Sequence, residues 1–238
     1  MAKSIEKRCD PQSLLAQSYA SHDAGATRRS AKDARECTPR NRITAIVLAG
    51  GKSSRMGQDK ALLEIDGTTL LTKICRMANN CACQTYVVTP WIERYQNILP
   101  SSCQAIAERP LVEGTSNTPL FGFAIGMELV ETEWVLLLAC DLPFLTSSQV
   151  KQWSLGLATV LPTEIAYLPN NVKGWEPLCG FYRRNCRTTL KSYINNGGKS
   201  FQSWLAQHRV RELPVRDRTC LFNCNTPQDW QVVNSSSG

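Results

Sequence analysis

The chain has 238 residues, of which 42% are hydrophobic and 20% charged, so it is long enough for one sizeable α/β domain or two small ones. It has no apolar run near the ~20 residues of a membrane span and no apolar core of a secretory signal, which excludes a membrane protein and favours a cytoplasmic one. Residues 1–42 hold nine Lys/Arg and five Asp/Glu, or +4 of the formal charge of +7, and the small excess that remains suits a polyphosphate substrate without requiring a nucleic acid.

Residues 1–42 are polar and show no sustained apolar period, so they are predicted to form a disordered basic extension. From Ile43 the pattern changes, and residues 43–238 are predicted to form one domain. Its first element, Ile43–Leu48, is a continuous apolar run closed by glycines, which is typical of a buried parallel strand. Similar runs follow at Thr85–Val88, Ala105–Ala107, Trp134–Ala139, Ile165–Leu168, Leu178–Tyr182 and near Leu221–Phe222.

Helical patterns lie between these runs. One predicted helix carries a single apolar stripe, formed by Leu70, Leu71, Ile74, Met77 and Ala78. Ser147 or Ser148 is predicted to cap the helix that contains Trp153, and Thr226-Pro227 to begin a C-terminal helix. Strands that alternate with helices predict an α/β fold with a parallel sheet and helices on both faces. In such sheets ligands bind beyond the carboxyl ends of the strands.

A glycine-rich segment, Gly50-Gly51-Lys52-Ser53-Ser54-Arg55-Met56-Gly57, follows the first strand. Its glycines let the backbone approach an anion, and Arg55 can grip phosphate oxygens through two donors. A Walker A loop would need glycine where Ile46 stands, and the G-x-G-x-x-G fingerprint is absent. The alternative is an ordinary strand-to-helix turn with solvated charges. The two cations of the segment, Lys52 and Arg55, make this alternative less favoured.

Two further charged positions point to the same chemistry. Lys60, in Asp59-Lys60, can pair with a triphosphate, although a lysine beside an aspartate is more often a surface pair. Asp141 follows the apolar run Trp134–Ala139 and precedes a proline turn, where it is well placed to hold Mg²⁺. Its alternative role is to cap a turn. Arg55, Lys60 and Asp141 are the predicted catalytic residues, and Asp141 the predicted metal ligand.

The sequence offers few residues for other kinds of catalytic site. The chain has two histidines, His22 in the predicted extension and His208 in a polar stretch, which disfavours Ser–His–Asp and Cys–His mechanisms. The eleven cysteines form no paired C-x-x-C zinc pattern, so reduced thiols that serve as small apolar side chains are favoured over a metal or redox site. Nucleotidyl transfer onto a phosphate needs no such base, because the acceptor is already anionic.

The segment Leu48-Ala49-Gly50-Gly51-Lys52-Ser53-Ser54-Arg55-Met56-Gly57-Gln58-Asp59-Lys60 resembles the signature of nucleotidyltransferases that build NDP-sugars and related cofactors. Its ending and the Ala61-Leu62-Leu63 that follows are most similar to molybdenum cofactor guanylyltransferases. Three later segments resemble the same family, namely Thr118-Pro119-Leu120-Phe121-Gly122, Cys140-Asp141-Leu142-Pro143 and Asn223-Cys224-Asn225-Thr226-Pro227. The likeness spans Ile43 to about Val233.

The resemblance implies a three-layer, Rossmann-like nucleotidyltransferase fold with a mostly parallel twisted sheet over residues 43–238. It implies Mg²⁺-dependent transfer of GMP from GTP to Mo-molybdopterin, giving the guanine dinucleotide cofactor and pyrophosphate. It further implies a cytoplasmic monomer in transient contact with proteins that deliver molybdopterin or receive the cofactor. Carried over by position, the resemblance implies a nucleotide- and metal-binding set of Leu48, Ala49, Gly50, Lys60, Asp141, Asn223 and Asn225.

Three positions depart from the family pattern: Thr89 stands where asparagine is frequent, Glu108 where aspartate is usual, and Thr118 where glycine is usual. Thr89 and Glu108 can still bond to ribose or base, so they stay in the predicted binding set, but the preference for guanine over cytosine is less firm than the reaction type. The alternatives are a nucleotidyltransferase that uses CTP or a sugar phosphate, and a non-catalytic nucleotide-binding protein of molybdenum cofactor delivery.

Overall fold

The structure is a computed structural model that describes residues 42–51, 56–108 and 118–235. The predicted extension at 1–42 therefore lies outside the described residues, apart from Arg42, which is exposed. The strands are β1 (Ile43–Leu48), β2 (Glu64–Ile65), β3 (Thr68–Thr69), β4 (Gln84–Thr89), β5 (Cys103–Ala107), β6 (Trp134–Ala139), β7 (Glu164–Leu168), β8 (Asn170–Asn171), β9 (Gly174–Trp175), β10 (Cys179–Arg183) and β11 (Arg209–Glu212).

The helices are α1 (Leu70–Asn79), α2 (Ile92–Tyr95), α3 (Pro119–Met127), α4 (Ser147–Leu155), α5 (Arg187–Asn195), α6 (Phe201–Leu205) and α7 (Pro227–Ser235). Short 3₁₀ turns lie at Lys60–Leu62, Gly156–Thr159, Arg184–Cys186 and Arg218–Leu221. Seven of the described strands form one sheet in the order β11-β7-β10-β6-β1-β4-β5. Every neighbouring pair is parallel except the two that involve β10, which runs antiparallel to β6 and β7. The mostly parallel α/β fold is confirmed.

The core has two layers because the buried central strands contact helices on both faces of the sheet. Ala45 and Val47 face the cluster that contains α1, whereas Ile46 faces the cluster that contains α3. On α3, Gly126 lets the helix approach closely, since a Cβ there would lie 2.8 Å from Ile46 Cδ1. The predicted apolar stripe of α1 is buried against the sheet, with Leu71, Ile74, Met77 and Ala78 in the first cluster and Leu70 in a third.

Two local predictions are wrong. The segment near Leu221–Phe222 is a 3₁₀ turn and its exit, and Phe222 packs on Phe144 instead of pairing in the sheet. The remaining sheet strand is β11, whose Arg209, Arg211 and Glu212 are exposed at the edge, so it offers no apolar run. Helix α4 is capped by Thr146, one residue before the predicted serines, in a capping box with Gln149.

The remaining expectations concern thiols and membrane spans. None of the nine cysteines within the described ranges forms a disulfide, and five of them are buried, as expected of thiols that pack as small apolar groups, whereas Cys83 is exposed. Over the same ranges, no helix is both long and apolar enough to cross a bilayer. His208 is half-buried, with its ring edge-on to Trp204. Burial lowers its pKa, so the neutral form is favoured.

Candidate active site

Four parallel strands end at one edge of the sheet, and each ends with or is followed by a predicted site residue. The register pairs Leu48 of β1 with Val88 of β4 and with Ala139 of β6, and pairs Thr89 with Ala107 of β5. Gly50, Thr89, Glu108 and Asp141 therefore lie at neighbouring strand ends, about 4.8 Å apart for each step between strands. The rule that ligands bind beyond the carboxyl ends of strands locates a single row of polar groups here.

The first loop leaves β1 with its backbone tied to β4. Ala49 donates its N–H to the Val88 carbonyl at 3.0 Å and is buried. A Cβ on Gly50 would lie 2.6 Å from Pro90 Cδ, so a residue with no side chain is required there. Residues 52–55 of the glycine-rich segment, which include the predicted catalytic Arg55, lie outside the described residues.

Glu108 is brought to this loop from β5. Its N–H donates to the Thr89 carbonyl at 2.8 Å. Its carboxylate reaches back over β4, because ideal Cβ positions on Gly50 and Gly122 would lie 3.1 and 3.4 Å from Glu108 Oε2. An anionic acceptor thus lies between the first loop and the first turns of α3. Fully buried Thr89 instead accepts the Trp91 N–H through Oγ1 at 3.1 Å, so that oxygen is already engaged within the protein.

Beyond the end of the central strand β6, three side chains from distant parts of the sequence meet. Lys60 Nζ donates to Asp141 Oδ2 at 2.9 Å and to Asn225 Oδ1 at 2.8 Å. The side chains of Lys60 and Asp141 are only 16% and 13% exposed, so water screens this ion pair less than it would an exposed pair. Asp59-Lys60 is therefore not a surface pair, and the predicted Lys60, Asp141 and Asn225 form one cluster.

Asn225 is held by the start of α7. Asp229 Oδ2 accepts the N–H groups of Asn225 and Thr226 at 2.9 and 2.8 Å, and Thr226 Oγ1 accepts the Asp229 N–H at 3.2 Å. The backbone donor of Asn225 is the main cause that lowers the pKa of Asp229. The predicted Thr226-Pro227 helix start is confirmed, and Asp229, missed in the sequence, had a signal in its spacing three residues after Thr226.

Asn223 is not brought into the cluster in the same way. Its side-chain Nδ2 donates to the Leu221 carbonyl at 3.1 Å, within its own segment. The segment itself is fixed beside the cluster, since the Cys224 N–H donates to the Asp141 carbonyl at 3.0 Å. Asn223 therefore lies two residues from the cluster, with one amide proton already bonded.

The oxygen atoms of the cluster fit a hard divalent cation. Asp141 Oδ1 is buried and has no hydrogen-bond partner among the described residues, an arrangement that costs free energy unless something else satisfies the atom. No group of three or more His, Cys, Asp or Glu side chains gathers in the described ranges. One carboxylate and an amide oxygen nearby match Mg²⁺, which takes few protein ligands when phosphates and water complete its shell. Burial raises the pKa of neighbouring Cys140 to about 12, so it stays a thiol.

A second group of residues surrounds Asp59 and was not predicted. Asp59 accepts hydrogen bonds from Arg94 and Tyr95 of α2, which lie 35 and 36 residues further along the chain. Nothing in the spacing or composition of that four-residue helix marks it as part of a site.

The sequence is similar to a known family. Residues 45–212 match the MobA-like NTP transferase domain. The chain is 52% identical, over 81% of its length and 91% of the relative, to a probable molybdenum cofactor guanylyltransferase of Trichormus variabilis. It is 40% identical to one of Synechococcus elongatus, over 82% of this chain and 99% of the relative.

Among solved structures, the fold is similar to molybdopterin-guanine dinucleotide biosynthesis protein A of Archaeoglobus fulgidus. The TM-score is 0.65 and the sequence identity 19%, over 81% of this chain and 97% of that one. At this identity the likeness supports the fold alone.

Proposed function

This chain belongs to the family of MobA-like NTP transferase domains, and on that premise we propose that it transfers GMP from GTP to the phosphate of Mo-molybdopterin, with release of pyrophosphate. The observation that carries the proposal is the partly buried Lys60–Asp141–Asn225 cluster, which lies at the same sheet edge as the Glu108 carboxylate. A cation and metal-binding oxygens therefore lie on one side of the first loop, and an acceptor for base N–H groups on the other.

The side of the site that carries the Glu108 carboxylate, the base side, suits guanine for a chemical reason. Guanine presents two adjacent N–H donors on its Watson–Crick edge, and a carboxylate can accept both, as carboxylates accept paired donors elsewhere. The corresponding edge of cytosine presents one amino donor beside acceptors, which a carboxylate would repel. We assign this contact to Glu108, with Leu48, Ala49 and Gly50 against the nucleoside. Thr89 contributes by position: its Oγ1 accepts the Trp91 N–H and fixes the turn after β4 beside the nucleoside.

The side of the site that carries Lys60, Asp141 and Asn225, the phosphate side, neutralises the charge of the reacting phosphates and positions them. A phosphate oxygen of molybdopterin attacks the α-phosphorus of GTP, a new P–O bond forms, and the bond to the pyrophosphate oxygen breaks. Lys60 and Arg55 neutralise the charge that develops on the phosphoryl oxygens. Because the attacking oxygen is anionic, no side chain has to remove a proton.

Asp141 and the amide oxygen of Asn225 are the proposed ligands for Mg²⁺, with Asn223 nearby toward the acceptor phosphate. When bound, Mg²⁺ would neutralise the triphosphate and orient it. The unpartnered Asp141 Oδ1 supports this assignment. We further propose that residues 43–238 act as the catalytic domain of a cytoplasmic monomer. Its protein contacts would be transient ones, with carriers of molybdopterin and recipients of the finished cofactor.

A nucleotide panel tests the reaction and its base preference. Pyrophosphate release is measured with GTP, CTP, ATP and UTP, each with and without molybdopterin. Release is expected with GTP only when molybdopterin is present. Strong use of CTP without use of GTP would contradict the guanine assignment, and no release with any nucleotide would contradict catalysis.

Glu108→Gln tests the base contact within the same panel. It replaces one accepting oxygen with a donor, so kcat/KM for GTP should fall about 10- to 100-fold, the cost of one lost bidentate base contact. Gln104→Glu, an exposed change on the same strand, is the control and should leave the GTP value unchanged. An unchanged GTP preference in Glu108→Gln would remove Glu108 from the base site.

A further inference from the structure

We propose that Asp59 is a positioning residue: held by Arg94 and Tyr95, it fixes the backbone that places the Lys60 ammonium against Asp141 and Asn225. The inference rests on the role proposed for Lys60. It adds a second polar network, on α2, to the residues that the reaction requires.

The Asp59 carboxylate has each oxygen occupied. Oδ1 accepts the Ala61 N–H at 3.1 Å, which caps the 3₁₀ turn Lys60–Leu62. Oδ2 accepts from Arg94 Nη1 at 2.9 Å and from Tyr95 Oη at 2.8 Å. The Asp59 side chain is only 14% exposed, so these are partly desolvated, charge-assisted bonds. One oxygen therefore defines the turn, and the other ties that turn to α2.

Helix α2 is itself firmly anchored at the end of β4. Tyr95 is buried in the larger core cluster, and its ring lies edge-on to Trp91 with centroids 6.4 Å apart. The Trp91 N–H donates to Thr89 Oγ1, and the Arg94 guanidinium lies 4.8 Å from the centre of the Trp91 ring. The two donors that hold Asp59 are thus fixed to the sheet edge that carries the base side of the site.

Lys60 depends on this anchor because it is the next residue. It begins the 3₁₀ turn, and the Leu63 N–H donates back to its carbonyl at 3.2 Å. A lysine side chain has much rotamer freedom, so the direction of its backbone largely decides where the ammonium can reach. Arg94 and Tyr95 also occupy the adjacent carboxylate, which would otherwise compete with Asp141 for the ammonium. A displacement of about 1 Å at a reacting centre can cost about 10²-fold in rate.

The test is a double-mutant cycle between Asp59→Asn and Lys60→Ala. Asp59→Asn keeps an oxygen for the Ala61 N–H but presents an amide NH₂ group, which donates and does not accept, to the two donors of α2. We expect kcat to fall about tenfold or more, with KM for GTP changed less than about threefold, because the turn is displaced and the nucleotide site is otherwise intact. In the Lys60→Ala background, Asp59→Asn should cause no further loss, measured in single turnovers with excess enzyme.

Equal losses from Asp59→Asn in both backgrounds would overturn the inference, since the aspartate would then act independently of the lysine. Arg94→Ala, at an exposed position, supplies a second variant that keeps the fold and should lower kcat in the same direction. Glu93→Gln, exposed on the same helix, is the matched control and should leave kcat unchanged. An unchanged kcat in Arg94→Ala and Asp59→Asn would also overturn the inference.

A readout without turnover separates this inference from the proposed function. Lysine-selective ¹⁵N NMR should show one slowly exchanging ammonium, assigned by its absence in Lys60→Ala, and that signal should broaden or disappear in Asp59→Asn. If the signal is lost while the wild-type protein transfers no guanylyl group, the positioning holds and the proposed function fails. If the signal is unaffected by Asp59→Asn, the positioning fails whatever the reaction.

Discussion

The two sides of the site are built differently. On the base side, Leu48, Ala49, Gly50 and Glu108 lie at the ends of β1 and β5, on either side of β4, and the strand register fixes their backbones. On the phosphate side, the Lys60 ammonium reaches Asp141 and Asn225 through side-chain bonds that span 81 and 165 residues of sequence. The base side should therefore respond to changes in backbone space as well as to the loss of the Glu108 carboxylate, whereas the phosphate side should respond mainly to changes in charge.

The largest effect is expected on the phosphate side, from Asp141→Ala. The change removes the carboxylate proposed to hold Mg²⁺ and leaves Lys60 without its anionic partner, so kcat should fall about 10³-fold. Turnover measured across a Mg²⁺ titration checks this. Glu131→Gln, at an exposed carboxylate, is the control. Retained turnover with the same Mg²⁺ dependence in Asp141→Ala would contradict both the metal assignment and the central place of the cluster.

On the base side, Gly50→Ala and Gly51→Ala form a matched pair. A Cβ at Gly50 would lie 2.6 Å from Pro90 Cδ, whereas one at Gly51 meets no atom of the described residues within 4 Å. Gly50→Ala should destabilise the fold by about 1–3 kcal/mol and weaken GTP binding about tenfold, as expected of overpacking. Gly51→Ala should be nearly neutral in thermal unfolding and in calorimetric titration with GTP. If both variants had the same stability and the same affinity for GTP, the space around the Gly50 backbone would not determine binding on the base side.

The smallest effect concerns the helix start that holds Asn225. Hydrogen bonds from the backbone lower the pKa of Asp229 below its ordinary value of 3.8 in the folded protein. Its contribution to stability is therefore present above the unfolded-state pKa and lost as the pH falls through and below that value. Asp229→Asn should flatten the decrease in Tm between about pH 6 and about pH 3, and should lower kcat a few-fold by releasing Asn225.

Asp217→Asn is the comparison for that change. The pKa of Asp217 is lowered by a similar cap, in which its carboxylate accepts from Thr219, but this cap does not touch Asn225. It should alter the pH dependence of stability without altering kcat. If the two variants changed kcat equally, the helix start would not be what holds Asn225 in place.

The contrast between residues fixed by strand register and residues joined by side-chain bonds also explains what could be predicted from the sequence. The location of the base side followed from apolar runs and the strand-end rule, because a strand register turns chain position into spatial position, whereas Leu48, Ala49, Gly50 and Glu108 were assigned to it from the family resemblance. Asp141 and Lys60 were predicted from their residue types and from the family signature, and the structure brings them together. The contacts of Asp59 could not be predicted, since Arg94 and Tyr95 stand on a helix of one turn. Strand β11 was missed because an exposed edge strand carries charges in place of an apolar run.

The reversed direction of β10 has a consequence for how the enzyme could diversify. Because β10 runs against β6, it is the start of β10 that lies beside Asp141, and the Leu178 carbonyl accepts the Ala139 N–H at 2.9 Å. The β8–β9 hairpin directly precedes that point, and its tip residue Val172 is fully exposed. Insertions or deletions in this hairpin would reshape the surface beside Asp141, the proposed metal ligand, on the side opposite the proposed base contact. Under the proposed assignments, such changes would alter the acceptor site and leave the residues proposed to bind the nucleotide unchanged.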